Sequence, residues 1–234
     1  MQFTSKKPYS TGSIAQQYFL GKAKIPTTYE IDDRILELHQ DGYRGGRIEL
    51  LQRGYFPSCN AYDIKSAYPS IMVDLLDYSK GEWIPDTDGE TNVPAGIYRV
   101  NCEWYHPVVA PFPVDTPYGA IYPNGKFETI INEAELAFIR KYNEFGSVEI
   151  LEGYSFNVFE EVKPYNETIR FLFEQKEKSD DDTKKLLYKL FINSIYGKTA
   201  QAIDKRNKDS SEPLLYHTGT LWNSIYANRL RQLL

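Results

Sequence analysis

The sequence predicts an α+β fold, in which helices pack on a mixed or antiparallel sheet and one hairpin of two helices projects from it. Two observations lead to this prediction. Runs of strand-like composition alternate with helical patterns between residues 47 and 159, and two long helical patterns then follow one another directly. A chain of 234 residues that is 41% hydrophobic also has enough apolar side chains for one packed domain, or for one domain with a small appendage.

The first third of the chain is predicted to contain two helices and two strands. The first helix spans 31–40 and is closed by the glycine pair that follows it. Residues 47–51 and 57–64 have strand composition and are joined by a turn around Gly54. The second helix begins near Pro69 in YPSIMVDLLDY, because proline is favoured in a first helical turn.

The middle of the chain is predicted to alternate loops with regular elements. Residues 77–97 are rich in Asp, Gly, Pro and Thr and form a predicted loop, which the strand GIYRVNCEWY follows. Four prolines between residues 107 and 117 predict irregular backbone. A helix is predicted after Asn132, which is a suitable N-cap with Glu135 three residues later. The segment that follows this helix, VEILEGYSFNVF, is predicted to be a strand.

The last third of the chain is predicted to be mostly helical. Helices at 161–178 and 183–200 are separated by an acidic tip at 179–182, and together they form the projecting hairpin. Residues 201–213 are predicted to be a polar loop, and 219–234 a last helix.

Composition and cysteine content exclude several classes of protein. No apolar run approaches the roughly 20 residues that cross a bilayer, and the N-terminus lacks the apolar core of a secretory signal. No membrane partner is therefore expected. Cys59 and Cys102 are too few for a disulfide scaffold or a cysteine-rich zinc site, and the three histidines are scattered. This usage predicts a cytoplasmic protein in a reducing compartment.

The charge is distributed unevenly along the chain. The net charge is −5, yet residues 184–208 carry seven basic side chains against one acidic side chain. A local basic segment on an acidic protein can bind a polyanion at one place and repel it elsewhere. The alternative interpretation is a solvated helix face followed by a charged loop.

One segment whose residues could take part in catalysis or ligand binding is AYDIKSAYPSIM, residues 61–72. A predicted strand leads to Asp63, the chain turns, and a helix begins next to Tyr68. A carboxylate at a strand end can bind Mg²⁺ through a hard oxygen ligand, and the N–H groups of the turn suit phosphate oxygens. The ordinary interpretation is a buried strand, a turn aspartate and a Tyr-Pro helix start.

The other segment is KKLLYKLFINSIYGKT, residues 184–199. At 100° per residue, one arc of about 80° contains Lys185, Lys189, Asn193 and Tyr196. The opposite side contains Leu187, Leu190, Phe191 and Ile195. Gly197 follows and leaves room for a ligand to approach the backbone. Two lysines, an amide and a phenol on one face suit a triphosphate and a base pair, although an exposed lysine-bearing face is the ordinary alternative.

Three motifs make the chain resemble one known family. Residues 63–70, DIKSAYPS, are similar to motif A of the family B DNA polymerases, Asp-x-x-Ser-Leu-Tyr-Pro-Ser, with Ala67 in place of the leucine. Residues 189–197 match motif B, Lys-x-x-x-Asn-Ser-x-Tyr-Gly, at every fixed position. Residues 43–46 match the Tyr-x-Gly-Gly element of the protein-primed branch, which is found in phages and linear plasmids. The motifs occur in the family order, and the resemblance covers about residues 40–234.

The resemblance implies roles for individual residues. Asp63 would be the catalytic motif A ligand of the Mg²⁺ pair, Tyr68 would stack on the sugar and exclude a 2′-hydroxyl, and Lys189 would neutralise the triphosphate. A second basic residue on the preceding helix is expected to be Lys176, with Lys178 as the alternative. Asn193 and Tyr196 would line the nascent base pair. Contacts with DNA would be made by Tyr43, Gly45, Gly46, Gly197 and Lys198.

The resemblance also implies a domain organisation. Residues 1–42 would be an N-terminal lead-in, 43–157 a palm, 158–200 the fingers, and 201–234 a return to the palm that ends before motif C. The palm would include an insertion-like region at about 77–155. The implied partners are primer-template DNA and deoxynucleoside triphosphates, with a terminal protein or a C-terminal polymerase segment as further candidates.

Motif C of the family, Asp-Thr-Asp in a hairpin after motif B, is not found in its expected place. Residues 86–88 read Asp-Thr-Asp, but they precede motif B between Pro85 and Gly89, so we interpret them as a surface turn. Two functions therefore remain: a palm and fingers portion of a DNA polymerase that is inactive by itself, or a non-catalytic nucleotide- or DNA-binding remnant or half of a split polymerase.

Overall fold

A computed structural model of the chain describes residues 10–22, 31–44, 46–47, 50, 52–199, 225–226 and 228–229. Its helices are α1 (Thr11–Lys22), α2 (Asp33–Asp41), α3 (Ala67–Met72), α4 (Glu133–Lys141), α5 (Asn166–Lys178) and α6 (Asp182–Thr199). Its strands are β1 (Gly81–Pro85), β2 (Gly96–Trp104), β3 (Val114–Thr116), β4 (Gly119–Ile121), β5 (Gly125–Asn132) and β6 (Gly146–Val158). Among these residues, no helix has both the length and the apolar character that crossing a bilayer requires.

The main sheet has four antiparallel strands in the order β1-β6-β2-β5, and β3 and β4 form a separate two-stranded hairpin. The predicted α+β class with an antiparallel sheet is thus confirmed. All four strands of the main sheet come from residues 81–158. The first and last residues of this range, Gly81 and Val158, face each other as partners in the β1–β6 pair.

The two faces of the sheet differ in what covers them. On one face, Tyr98, Val100 and Trp104 of β2 pack with Leu136 and Ile139 of α4. The opposite face is apolar at one end, where Ile97 and Ile130 pack against Leu38 of α2. Farther along, this face is polar, with an ion pair between the side chains of Lys126 and Glu103. The alternation of side chains along β2 therefore separates a core face from a partly solvated one.

The helices form a second core beside the sheet. Helices α5 and α6 form the predicted hairpin, and Leu172, Ile192 and Ile195 are buried between the surrounding elements. Helix α1, which the sequence analysis treated as part of a lead-in, lies along α6. There the rings of Tyr18 and Phe191 have centroids 6.5 Å apart. The C-terminal half of α6 is thus covered from two sides, by α1 and by α5.

Helix α4 begins at the predicted capping box. The backbone N–H of Glu135 donates to the Asn132 side chain at 2.8 Å, and the Asn132 N–H donates to the Glu135 carboxylate at 2.9 Å. The two contacts satisfy N–H groups that a helix start otherwise leaves without partners.

The predicted strand at 57–64 is wrong, because these residues are irregular backbone. No strand in the described part of the chain lies beside them, and a sequence with strand propensity forms a strand only where a neighbour pairs with its backbone. Residues 47 and 50 of the strand predicted at 47–51 are also irregular backbone. The rest of that predicted strand lies outside the described residues. The predicted position of Asp63 at a strand end is therefore wrong as well.

Other differences from the prediction concern the length of one helix and several short strands in regions predicted to be loops. The helix that begins near Pro69 ends at Met72, and Asp77 then forms a turn by accepting from the N–H of Ser79 at 2.9 Å. Strand β1 lies in the predicted loop 77–97, and β3 and β4 lie in or beside the proline-rich stretch. Nearly all of the predicted loop 201–213 and final helix 219–234 lies outside the described residues. Residues 225, 226, 228 and 229 are helical.

Candidate functional site

Three tyrosines from three separate parts of the sequence meet in one cluster. The rings of Tyr68 and Tyr196 are stacked, with centroids 3.6 Å apart and planes 9° from parallel. The hydroxyl oxygens of Tyr43 and Tyr196 are 3.2 Å apart, within hydrogen-bond distance. The sequence analysis singled out all three residues, and the structure brings them together.

Tyr68 is positioned by a tight turn before a short helix. Ser66 has a positive φ of 52° and a ψ of 46°, in the left-handed region that a non-glycine residue seldom occupies. Its carbonyl accepts from the N–H of Ser70 at 3.0 Å, and the Ser70 hydroxyl donates to the Ala67 carbonyl at 2.7 Å. Pro69 is buried beneath the turn. These contacts fix the backbone on both sides of the Tyr68 ring.

Tyr196 is positioned by the packing of α6. Ile192, Ile195 and Thr199 of this helix are buried, and the Thr199 hydroxyl donates to the Tyr196 carbonyl at 2.7 Å. Burial raises the pKa of Tyr196 well above its ordinary value, and the hydrogen bonds with Tyr43 and Tyr68 raise it further. The Tyr196 phenol is therefore neutral and able to donate a hydrogen bond.

The predicted polar face of α6 is exposed next to this cluster. Lys189, Asn193 and Gly197 are exposed on it. A Cβ atom added at Gly197 would meet no atom within 4 Å, so the backbone here is open to an approaching ligand. Lys185, which was placed on the same face, lies 3.8 Å from the Asp182 carboxylate as an ion pair.

The predicted apolar face of α6 is only partly correct. Ile195 is buried and Phe191 packs against α1, as expected. Leu187 and Leu190 are instead 48% and 40% exposed. The reason is that the buried residues of α6 all lie in its C-terminal half, from Ile192 onward, while its N-terminal half projects away from the core.

The lysines of the hairpin differ in their surroundings. Lys178 lies 3.3 Å from the Glu174 carboxylate, one helical turn earlier on α5. Neither Lys176 nor Lys189 has an ion pair within the described part of the chain. Lys198 is half-buried against α1, because a Cβ atom added at Gly12 would lie 3.0 Å from its Cε atom.

The segment around the glycine pair is held by two arginines that sequence reasoning missed. The Arg44 guanidinium donates to the Asp115 carboxylate in β3 at 2.8 Å. Arg47 donates to the Ala110 carbonyl at 2.9 Å and lies over the Tyr122 ring, 4.4 Å from its centroid. Gly46 is exposed, and Gly45 lies outside the described residues. The only sequence signal for this role was the presence of an arginine on each side of the glycine pair. The partners of these arginines are distant in sequence, so the sequence alone did not reveal the contacts.

Comparison with known proteins identifies the family. A family model described as DNA polymerase type B, organellar and viral, matches residues 8–218, which is most of the chain. The chain belongs to this family. A comparison with curated proteins finds no match.

Solved polymerase structures have the same fold as this family B polymerase chain. The orthorhombic crystal form of phi29 DNA polymerase has a TM-score of 0.62 and 18% identity, covering 95% of this chain and 44% of that chain. The phi29 post-translocation complex with primer-template DNA has a TM-score of 0.61 and 18% identity, covering 97% and 44%. The phi29 ternary complex with primer-template DNA and nucleotide has a TM-score of 0.53 and 20% identity, covering 82% and 36%. The chain thus spans less than half the length of these relatives.

The carboxylate that the sequence predicts as the motif A metal ligand is exposed. Asp63 lies in irregular backbone, between the exposed side chains of Tyr62 and Ile64. Within the described residues, no three His, Cys, Asp or Glu side chains form a group that could hold a metal ion. A pair of Mg²⁺ ions needs several oxygen ligands, so the described residues alone do not fit a complete two-metal site.

The Asp-Thr-Asp sequence at 86–88 is a turn, as predicted. The Asp86 carboxylate accepts from the N–H groups of Gly89 and Glu90, each at 2.8 Å, and from the Tyr98 hydroxyl at 2.9 Å. Burial opposes ionisation of Asp86, yet these hydrogen bonds together lower its pKa below the ordinary value. Arg140 donates to the carbonyls of Asp88 and Gly89. The Asp86 carboxylate thus stabilises its own loop.

Proposed function

We propose that this chain is the palm and fingers portion of a template-directed DNA polymerase that transfers deoxynucleotides to a primer 3′-hydroxyl or to a protein primer. The observation that carries the proposal is the meeting of Tyr43, Tyr68 and Tyr196, which belong to three different motifs. Motifs that are distant in sequence come together where they act on one ligand. Membership of the family supports the same activity.

The nucleotide site would lie between α3 and the exposed face of α6. Lys189 is exposed and has no ion pair with any described residue, so its ammonium can bind the triphosphate as a point charge. Lys176 is the candidate for a second phosphate contact, because Lys178 already pairs with Glu174. Tyr68 would lie against the sugar, and Asn193 and Tyr196 would line the base pair.

The DNA contacts would lie on both sides of the tyrosine cluster. Tyr43, Gly45 and Gly46 would guide the template strand, with Gly197 offering open backbone and Lys198 a nearby charge. Phi29 DNA polymerase, whose fold this chain shares, has been solved with primer-template DNA and with single-stranded DNA. That likeness supports DNA as the partner.

The sheet region would be the insertion of the protein-primed branch. The strands found in the described part of the chain all lie within residues 81–158, close to the range of about 77–155 expected for that insertion. A terminal protein is the partner that this region would contact. In this proposal residues 43–157 form the palm with its insertion and 158–200 the fingers.

A second candidate function is binding of nucleotide or DNA without turnover. The observation that favours it is that Asp63 belongs to no group of three or more His, Cys, Asp or Glu side chains that could hold a metal ion among the described residues. Catalysis on two Mg²⁺ ions would need Asp63 together with carboxylates of a motif C, which a further C-terminal segment would supply.

Primer extension in Mg²⁺ separates the two candidates. The chain of 234 residues is assayed alone and together with a motif C segment from a family B polymerase, either fused or added in trans. Alone, we expect weak, strongly salt-dependent binding of DNA and no extension. With the segment, we expect extension that Asp63→Ala abolishes and that Asp88→Ala, the matched control, leaves intact.

Each contrary outcome has a distinct meaning. DNA binding without extension, even when the segment associates with the chain, would favour the binding function. Extension that is lost in Asp88→Ala would show that the turn at 86–88 is the second carboxylate cluster.

A further inference from the structure

Helix α1 precedes all three motifs in the sequence, yet it packs against the helix that carries motif B. The rings of Tyr18 and Phe191 have centroids 6.5 Å apart. Nearer the start of α1, a Cβ atom added at Gly12 would lie 3.9 Å from the Cβ atom of Ser194 and closer still to Lys198. Because residue numbers rise along one helix as they fall along the other, α1 and α6 are antiparallel, and the start of α1 meets the end of α6.

Gly12 lies at the closest approach between α1 and Lys198. A Cβ atom added there would be 3.0 Å from the Cε atom of Lys198 and 3.8 Å from its Nζ atom. Gly12 has a helical backbone conformation, which any residue can adopt. It is therefore the space occupied by the Lys198 side chain, and not the backbone, that favours glycine at this position.

The start of α1 is held in place by Ser10. The N–H of Ser13 donates to the Ser10 hydroxyl at 3.2 Å, and the N–H of Ile14 donates to the Ser10 carbonyl at 3.1 Å. Farther along the same helix, Ala15 and Phe19 are fully buried. The first turn of α1, which includes Gly12, is thus fixed both by its cap and by the packing that follows it.

The stem of Lys198 therefore crosses a fixed backbone. The residue is half-buried, as is usual where a lysine packs its methylene groups on a surface and keeps its charge near water. Any side chain at position 12 would compete with the Cε atom of Lys198 for the same space. The lysine end would then give way, because its stem is flexible and the helix backbone is not.

We propose that Gly12 is a positioning residue: its lack of a side chain lets the Lys198 stem cross α1 and place its ammonium on a DNA phosphate. The inference rests on the proposed function, in which Lys198 contacts DNA. It gives α1, which the motifs leave without a role, a part in binding DNA.

The first test observes the Lys198 side chain without DNA or activity. The lysines of the 234-residue chain are dimethylated with ¹³C, which keeps their charge, and the Lys198 resonance is assigned by its loss in Lys198→Arg. Gly12→Ala and Gly12→Leu are expected to shift that resonance. Gly21→Ala and Gly21→Leu are the matched controls, because a Cβ atom added at Gly21 of the same helix meets no described atom within 4 Å. An unchanged Lys198 resonance in both Gly12 variants overturns the proposal.

The second test counts phosphate contacts from the salt dependence of DNA binding. Fluorescence anisotropy with a labelled primer-template duplex gives the slope of log Kobs against log salt concentration. Losing one phosphate contact lowers the magnitude of this slope by about 0.9, and we expect this in Lys198→Ala and in Gly12→Leu. The double variant is expected to match Lys198→Ala, because both changes remove the same contact. Gly21→Leu should keep the slope of the unaltered chain.

The contrary outcomes separate this proposal from the proposed function. A slope that falls in Lys198→Ala but not in Gly12→Leu overturns the positioning role and leaves DNA binding intact. A double variant that binds more weakly than Lys198→Ala overturns it as well, since Gly12 would then act through another residue. If Gly12→Leu fails to fold, as judged by circular dichroism, the same criteria apply to Gly12→Ala. Absence of salt-dependent DNA binding by the unaltered chain contradicts the proposed function, and the role of Gly12 with it.

Discussion

The rings of Tyr68 and Tyr196 lie face to face, with their centroids 3.6 Å apart. This separation is van der Waals contact, so no third ring fits between them. A nucleotide that touches both side chains must therefore lie along the edges of the stack or move the rings apart. In either arrangement, the shape of the Tyr68 side chain determines which nucleotides fit beside it.

Tyr68→Val is expected to weaken discrimination against ribonucleotides. The smaller side chain leaves space for a 2′-hydroxyl, so the ratio of deoxyribonucleotide to ribonucleotide incorporation should fall about tenfold or more. Incorporation of deoxyribonucleotides should largely survive. The measurement is kcat/KM for each nucleotide in the assembly with motif C. Tyr62→Val is the control, because Tyr62 is 92% exposed. Equal discrimination in Tyr68→Val and the unaltered protein would remove Tyr68 from this role.

Lys189→Ala is expected to weaken nucleotide binding and turnover together. A hydrogen bond to a charged group contributes roughly 1.5–3 kcal/mol, so kcat/KM for the nucleotide should fall roughly 10- to 100-fold. Steady-state primer extension over a range of nucleotide concentrations measures the effect. Lys184→Ala, at an exposed position of the same helix, should change little. A nucleotide dependence that is the same in both variants would contradict the assignment of Lys189.

Breaking the ion pair of Glu133 and Arg229 is expected to destabilise the fold strongly. Arg229 donates from both terminal nitrogens to the two Glu133 carboxylate oxygens, each at 2.7 Å, and its side chain is only 2% exposed. Glu133→Leu leaves a buried charge without its partner, which costs roughly 3–5 kcal/mol of unfolding free energy. Urea unfolding measures the cost.

A double variant separates pairing from packing at this position. Glu133→Leu with Arg229→Met removes both charges and should recover a large part of the loss. The exposed pair of Lys126 and Glu103 serves as control, because its removal should cost only about 0–1 kcal/mol. A double variant that is no more stable than Glu133→Leu would show that the lost stability comes from packing or from the N–H of Gly96, which donates to the Glu133 carboxylate at 2.8 Å.

The stability of the fold is expected to fall as the pH drops below about 6.5, the ordinary pKa of histidine. His39 is fully buried, and burial lowers its pKa well below that value, with the positive charge of Arg229 lowering it further. The unfolded chain therefore binds a proton that the folded chain excludes. One such proton makes the unfolding free energy decrease by at most about 1.4 kcal/mol per pH unit.

Urea unfolding at several pH values between 6.5 and 5 tests this dependence. His39→Gln should lack the slope that the unaltered protein has in this range, whatever its stability at neutral pH. If His39→Gln keeps the slope as well, His39 is not the residue responsible.

Local signals in the sequence predicted local structure well. The capping box of Asn132 and Glu135 and the α5–α6 hairpin depend on residues close together in the chain, and both are present. Strand β1 and the β3–β4 hairpin were missed in or beside predicted loops. Strand β1 depends on pairing with β6, which is distant in sequence. The strand predicted before Asp63 failed for a related reason, since no described strand pairs with it.

The candidate site was predicted in part. Motif spacing identified Tyr68 and Tyr196 and placed them near one ligand, although nothing in the sequence predicted that their rings would touch. The bond from Tyr43 to Tyr196 and the salt bridge from Arg44 to Asp115 each join distant segments. Such contacts depend on how the elements pack, and one sequence does not specify that packing by composition or periodicity.

The pairing of Gly81 with Val158 has a consequence for how this protein can change over evolution. Partners in an antiparallel pair have Cα atoms about 5 Å apart, so the chain enters and leaves the sheet region at nearly the same point. Deletion of the whole region, or its replacement by another module, would require only a short turn to rejoin α3 to α5. The positions of the two chain ends therefore allow the sheet to be exchanged as one cassette, provided that the replacement also covers the helical core to which Ala95 and Phe156 contribute.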